Sequence, residues 1–259
     1  MVGRVFLVGA GPGDVELLTL KAVRLIQDCD VLVYDRLVSD DILDLAPASA
    51  ERFDVGKRPY CHPVPQDEIN ALLLSLARRG RSVVRLKGGD PLMFGRGGEE
   101  ALILRAAGVT YEVVPGITAA QGAAAAARLP LTHRGLASSV RYLTGHSRAD
   151  AELDFDWEGL ADPDTTLVVY MGLANIAKIA RALLAHGRSA TTPVLAVSNA
   201  TRPEERRFAT TLGGLPCAAK VAGLESPVVF IIGDVVAVAQ AQGQMFDVIQ
   251  DDHFAAAAE

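Results

Sequence analysis

The chain has 259 residues, half of them hydrophobic but only 5% aromatic, and a formal net charge of −6. That length holds one large domain or two of about 120 to 140 residues, each able to bury a proper core, and the aliphatic composition favours α/β architecture. An acidic chain lacks the basic surface that phosphate binding needs, which argues against a nucleic-acid partner; the longest uncharged run, 113–127, is broken by Pro115, Gly116 and Gln121 and is too short to span a membrane.

Val5-Phe-Leu-Val8 reads as a short strand running into Gly9-Ala-Gly11-Pro-Gly13-Asp14, after which Leu18, Ala22, Leu25 and Ile26 fall on one face of a helix. Glycines follow the apolar run where a cleavage site would stand, so no secretory signal is expected and the location reads as cytoplasmic. The glycine turn is not a dinucleotide fingerprint. Its G-x-G-P-G spacing departs from G-x-G-x-x-G, and Pro12 removes a backbone donor that a pyrophosphate would use. Asp14 reads as a helix N-cap, a role that does not by itself need three glycines before it. A strand over 31–34 delivers Asp35 and Arg36 at its C-terminal end, where open α/β sheets place ligands. By residue type alone that pair is either an internal ion pair or chemistry. A helical turn over 40–45 and a strand over 52–55 follow, and Lys57 stands beside Gly56 at the end of that strand, as a solvated lysine or a ligand contact.

The segment 60–65, with two prolines, is a loop, and a lone His62 within it carries no argument. Ile69, Leu72, Leu73 and Leu76 mark a helix closed by Arg78, Arg79 and Gly80. Val83, Val84 and Leu86 form a short buried strand that exits into Gly88-Gly89-Asp90, where a ligand or another backbone can come close. Gly97-Gly98 then precede Glu99 and Glu100 at the start of a helix continued by Ala101 and Leu104, carboxylates in a first turn being favoured by its dipole. Taken alone, 85–100 is a capped βα loop with scattered charges. A strand over 111–114 leads into 115–127, where small residues at nearly every position call for a close neighbour: a helix, a ligand or a second copy of the chain.

The periodicity breaks at Leu129-Pro-Leu-Thr-His-Arg-Gly135, one reading of the domain boundary; as residue ranges the division adopted is 1–115 and 116–245, both α/β, with a tail over 246–259 that ends in alanines. In the second half, strands are expected over 140–144, 167–170, 193–198, 208–212 and 228–232. Ile176, Ile179, Ala180, Leu183 and Leu184 mark a helix, and Trp157 reads as a packing anchor. Two such domains side by side would leave a cleft, the usual home of a small-molecule site. Cys29, Cys61 and Cys217 are too scattered for a disulfide framework or a zinc site.

Several of these stretches together resemble one family. Val8-Gly-Ala-Gly-Pro-Gly-Asp14, Tyr34-Asp-Arg-Leu-Val-Ser-Asp-Asp41, Val55-Gly-Lys-Arg58, the run 85–100, Val114-Pro-Gly-Ile-Thr-Ala119, Pro130-Leu-Thr-His-Arg134, Thr144-Gly-His146, Tyr170-Met-Gly-Leu173 and Asn199-Ala-Thr201 follow in the order found in the tetrapyrrole methylases, across about residues 4–240. The resemblance implies the fold of that family, the class III methyltransferase fold: two α/β domains, an active-site cleft between them, and a homodimer. It implies S-adenosyl-L-methionine as methyl donor, with S-adenosyl-L-homocysteine as product and no metal. The donor is expected near Pro12, Gly88, Gly89, Asp90, Met93, Thr118, Ala119, Met171, Ala200 and Val228.

The implied reaction is two successive methylations of uroporphyrinogen III at carbon, giving precorrin-2 for sirohaem, cobalamin or haem d1. On this resemblance Asp35 is the proton acceptor and Lys57 the donor, either of which could instead act by orientation or charge. Arg36, Arg96 and Arg134, with Met171, bind the substrate, the arginines as bidentate anchors for its carboxylates. Glu99, three residues after Arg96, fixes its guanidinium or takes part in proton transfer. His133 and His146 read as structural neighbours. No dehydrogenase or chelatase extension is expected. The rival readings are a methylase of the same fold acting on a later precorrin, and a module that binds a tetrapyrrole or nucleotide without turnover.

Overall fold

The computed structural model describes residues 3–56, 64–146, 153–241, 243 and 246–248. The chain divides into two compact units, Met1–Ala119 and Ala120–Glu259.

In the first unit, β1 (Arg4–Gly9), β2 (Val31–Tyr34), β3 (Glu51–Asp54), β4 (Ser82–Lys87) and β5 (Thr110–Val114) form a parallel sheet in the order β3-β2-β4-β1-β5. Parallel strands need crossover helices, which cover both faces, so the strands read as continuous apolar runs. On one face Phe6, Val8, Leu32, Val84 and Leu86 pack with Ala22 and Ile26 of α1 (Leu20–Gln27) and Ile42 of α2 (Asp40–Leu43). On the other, Val5, Leu7, Val31, Val33 and Val83 pack with Ile69, Leu73 and Leu76 of α3 (Gln66–Arg78) and Leu104 of α4 (Gly97–Ala106). Asp14 caps a 3-10 turn over Val15–Leu17 rather than the long helix; α1 is capped by Thr19, whose hydroxyl accepts from the Ala22 N–H at 3.1 Å.

In the second unit, β6 (Ser139–Thr144), β7 (Thr165–Tyr170), β8 (Pro193–Ser198), β9 (Arg206–Thr211), β10 (Val228–Ile232) and β11 (Asp247–Val248) form a mixed sheet in the order β11-β9-β8-β10-β7-β6. One face packs Leu167, Val169, Val194, Ala196 and Phe230 against α7 (Ile176–Ala185) and α8 (Leu215–Val221), with α6 (Trp157–Leu160) at its margin, where Trp157 does act as a packing residue. The other packs Val168, Leu195, Val197, Val229 and Ile231 against α5 (Ala119–Ala126) and α9 (Val235–Ala241). The small residues of α5 thus meet a sheet: Ala120, Gly122, Ala123 and Ala124 are buried. Asp247 and Val248, within the expected tail, add a short parallel strand beside Phe208 and Ala209. Among the described residues no helix is long and apolar enough to cross a membrane, and no group of three or more His, Cys, Asp or Glu could hold a metal ion.

Candidate functional site

In the first unit the expected residues gather at the C-terminal edge of the sheet. The chain leaving β1 and the chain leaving β4 bond to each other, with the Gly11 N–H on the Gly89 carbonyl at 3.1 Å and the Gly89 N–H on the Gly11 carbonyl at 2.7 Å. A Cβ on Gly9 would lie 2.6 Å from the Gly116 Cα, and one on Gly116 only 2.2 Å from the Gly89 oxygen. Three chain segments therefore touch backbone on backbone, which a single turn glycine would not achieve. Gly89 has φ +69, and its Cβ direction points at the Thr118 Cα and the Ala119 nitrogen, 3.7 and 3.9 Å away. Asp90 ties this edge together: Oδ1 accepts from the Leu92 N–H at 2.8 Å and Oδ2 from the Gly116 N–H at 3.1 Å. Pro12, Gly88, Gly89, Asp90, Thr118 and Ala119 are thus neighbours, with Met93 on the turn that follows, its N–H on the Asp90 carbonyl at 3.3 Å.

Beside this backbone wall stands a set of charges that the sequence reading left in a buried strand and a helix end. Arg85, Lys87 and Glu100 are 1%, 3% and 0% exposed. Glu100 Oε1 accepts from Arg85 Nε, Lys87 Nζ and Gln66 Nε2, each at 3.1 Å, while its Oε2 has no hydrogen-bond partner among the described residues. Arg85 Nη2 donates to Asp35 Oδ1 at 2.6 Å, and Lys87 Nζ lies 3.7 Å from Asp35 Oδ2. Burial pushes the Lys87 ammonium below its ordinary pKa, Arg85 adds to that push, and Asp35 and Glu100 oppose it. Two expectations are corrected. Asp35 pairs with Arg85 and Lys87, not with the exposed Arg36, because Arg36 follows the end of β2 while Arg85 is in register with Val33 on the adjacent strand. Glu100 is not a solvated first-turn carboxylate but an internal counterion. The one signal for it was the spacing of Arg85 and Lys87, two apart and so on one face of a strand whose neighbours there are apolar.

Gly56 packs against the Arg36 backbone nitrogen, a Cβ there falling 2.5 Å away. Lys57, next in the chain, lies outside the described residues. Arg96 takes the N-cap position of α4 with φ 60, a left-handed conformation uncommon outside glycine. Its Nε and Nη2 donate to both oxygens of Glu99 at 2.9 and 2.7 Å, a bidentate pair in which each side chain is about half exposed. That hydrogen bonding raises the Arg96 pKa further. Glu99 thus meets the Arg96 guanidinium directly in the folded chain.

In the second unit, Met171, Ala200 and Val228 come to one edge of the sheet. Val229 is in register with Tyr170 and Val228 with Ser198, and the Asn199 N–H donates to the Pro227 carbonyl at 3.0 Å. The backbone here is strained: Met171, Asn199 and Thr201 have φ of 51, 50 and 65, and Thr201 is β-branched. Such conformations cluster where a site over-determines them. None of these residues is glycine, the usual mark of a positive φ. Met171 is 51% exposed, and its neighbour Gly172 lies close to Gly145, whose carbonyl accepts from Asn175 Nδ2 at 2.8 Å. His146 is exposed at the same edge. Arg134 is elsewhere: it is exposed on the loop before β6, at the opposite end of that strand, beside His133, whose Nδ1 meets the Arg134 carbonyl at 2.9 Å.

Comparison with known proteins bears on what these edges hold. Residues 4–216 match the model of the tetrapyrrole (corrin/porphyrin) methylases. The chain is 57% identical, over 92% of its length and 83% of the other's, to a uroporphyrinogen-III C-methyltransferase of Paracoccus denitrificans. It is 50% identical to a siroheme synthase of Chromobacterium violaceum, matching with 92% of its own length but spanning only 50% of that longer protein. A solved uroporphyrin-III C-methyl transferase of Thermus thermophilus, in complex with S-adenyl homocysteine, superposes with a TM-score of 0.79 at 46% identity, covering 91% of this chain and all of that one.

Proposed function

The chain belongs to the tetrapyrrole methylase family, and from that premise we propose that it transfers two methyl groups in succession from S-adenosyl-L-methionine to carbons of uroporphyrinogen III, giving precorrin-2. The observation that carries this reading is the 57% identity, along nearly the whole chain, with a protein of that activity. Likeness to a siroheme synthase supports sirohaem as one product the reaction serves.

The residues present fit the methyl donor. Glycine backbone from three segments closes together with no room for a Cβ at Gly9 or Gly116, and Gly89 faces Thr118 and Ala119, a surface suited to adenine and the amino-acid group. When bound, the donor supplies an electrophilic methyl on a sulfonium centre. Pro12, Gly88, Gly89, Met93, Thr118 and Ala119 are proposed as donor contacts on the geometry of the first unit, and Met171, Ala200 and Val228 on the family resemblance alone. Asp90 holds the wall in shape through its bonds to Leu92 and Gly116.

Alignment of an electron-rich pyrrole carbon with the methyl group is the largest task in such a transfer. Arg36 and Arg96 are proposed to bind the substrate carboxylates, with Met171 against the ring and Arg134 in a lesser role because it stands at the other end of β6. For Arg96 this means exchanging Glu99 for a substrate carboxylate or sharing its fork between them. Asp35 is proposed to accept the proton that the macrocycle loses after each methylation, and Lys57 to act as donor. The assembly proposed is a homodimer in the cytoplasm, supported by the family resemblance and by the exposed Leu92, Leu102 and Ile103 of the first unit.

The test is anaerobic incubation with uroporphyrinogen III and S-adenosyl-L-methionine, followed by mass spectrometry of the tetrapyrrole. The expected product has gained two methyl groups. Folded protein that binds the donor yet leaves uroporphyrinogen III unmodified, or methylates only a later precorrin, would overturn the reading.

A further inference from the structure

We propose that Lys87 and Glu100 are positioning residues for the methylation: with Arg85 they form a buried charge ladder that opens to solvent at Asp35, and they fix the orientation and charge of that carboxylate. The inference rests on the reading of Asp35 as proton acceptor.

The ladder is poorly explained as a stabilising device. Its side chains at Arg85, Lys87 and Glu100 are 2%, 3% and 0% exposed, while Asp35 is 30% exposed. Desolvating that many charges consumes most of their mutual attraction, and apolar residues of similar volume usually serve stability as well or better. Apolar replacements would find a ready surface, because Val83, two residues before Arg85 on the same face, already packs with Leu7, Val33 and Leu104. Stability therefore gives no reason for the charges.

The geometry gives one. Each oxygen of Asp35 faces a different cation, Oδ1 toward Arg85 and Oδ2 toward Lys87, and both cations are held from behind by the same oxygen of Glu100. Rotation of the Asp35 carboxyl breaks one contact or the other. Gln66 Nε2, from the first turn of α3, completes the grip on Glu100. The ladder reaches the surface at the C-terminal ends of β2 and β4, with Gly88 next in the chain after Lys87. The charged groups around Asp35 are Arg85 and Lys87 from β4, Glu100 from α4 behind them, and Arg36 next to it in sequence, with Lys57 outside the described residues.

Lys87 and Glu100 act on Asp35 with opposite sign, which separates positioning from mere support. Losing the Lys87 charge leaves two carboxylates with one buried cation and disfavours ionised Asp35. Losing the Glu100 charge leaves two cations facing Asp35 and favours it. The experiment is the pH profile of kcat in the full-length protein, with saturating uroporphyrinogen III and S-adenosyl-L-methionine. Lys87→Met is expected to move the acid limb up by about one pH unit and Glu100→Gln to move it down by about half a unit. Lys87→Arg should return the limb to its original place. KM for the methyl donor should stay within about threefold in each. Acid limbs that superimpose on the parent's while only Tm falls, or that move in the same direction in both variants, would overturn the proposal. Should Lys87→Met fail to fold, Glu100→Gln, which keeps the side chain's shape, decides by its direction alone. Two controls separate this failure from failure of the reading beneath it. Parent protein that makes no dimethylated product overturns the assigned reaction, and an Asp35→Asn variant with parental kcat overturns the acceptor role; either takes the ladder's role with it.

Discussion

Arg85 and Arg188 are both buried, at 1% and 4% exposure, yet the groups that receive them differ in kind. Arg85 donates to two carboxylates, one of them shared with a buried lysine, and only its Nη1 goes to a backbone carbonyl, that of Leu86 at 3.3 Å. Arg188 donates to backbone carbonyls: Nη2 to Thr165 at 3.1 Å, and Nη1 to Asp162 and, more weakly, to Leu160 at 3.5 Å. Those carbonyls belong to the end of α6, the turn after it and the first residue of β7, so one guanidinium joins three pieces of chain to the residues following α7. Neutral acceptors fix geometry without balancing the charge, and burial accordingly lowers the Arg188 pKa, against the pull of Asp234 and Asp162. A buried cation held by carbonyls is a lock; one held by carboxylates that lead to the surface can tune a reacting group.

The largest effect should come from opening the lock. Arg188→Met leaves those carbonyls without their donor and is expected to lose about 2 to 4 kcal/mol, read as a fall in the denaturant midpoint with unchanged m-value. Activity per folded molecule should be unchanged. The same substitution at Arg85 should instead depress the kcat of the folded fraction, by about a hundredfold or more if Asp35 works as an acceptor. Equal kinetic damage from both variants would dissolve the distinction.

This contrast also marks what could be read from the chain alone. The strands were legible because buried parallel strands are continuous aliphatic runs, and Val31-Leu-Val-Tyr34 appears where it was expected. The glycines at 88 and 89 announced a close approach, and the structure shows Gly11 and Gly116 against Gly89 and the Leu37 side chain against Gly88. The ladder was less visible. Arginine and lysine in a strand are by habit given to solvent, and their counterion at Glu100 is reached only through the packing of α4 on the sheet. Strain at Phe94, Arg96, Met171, Asn199 and Thr201 was equally hidden, since none of these residue types advertises a positive φ as glycine does.

A smaller effect sharpens the electrostatic half of the comparison. In the folded chain Lys87 holds its proton less tightly than an ordinary lysine, whose pKa is 10.5. Between its lowered value and 10.5 the unfolded chain binds more protons than the folded one, so the contribution of this group to stability rises with pH across that window. Below the lowered value its penalty is constant. Urea unfolding followed from neutral pH toward 10 should show this rise in the parent and not in Lys87→Met, while Arg188→Met keeps it. A slope that persists without Lys87 would assign it to another group.

The smallest effect concerns Arg134, an exposed cation with neither kind of burial. It stands on the loop joined by the His133–Ala137 bridge, over a hollow of about 420 Å³ that Asp164 also lines, at the N-terminal ends of β6 and β7. Met171, Ala200 and Val228 lie at the other end of the sheet. An exposed side chain that fixes no backbone has little stability to lose, and Arg134→Ala is expected to change unfolding free energy by no more than about 0.5 kcal/mol. As a carboxylate anchor remote from Met171 it should raise KM for uroporphyrinogen III by about threefold at most, with kcat retained, the pattern of lost uniform binding. A tenfold rise would mean that the tetrapyrrole engages both ends of β6, and the ranking of Arg36 and Arg96 above Arg134 would then be reversed or levelled.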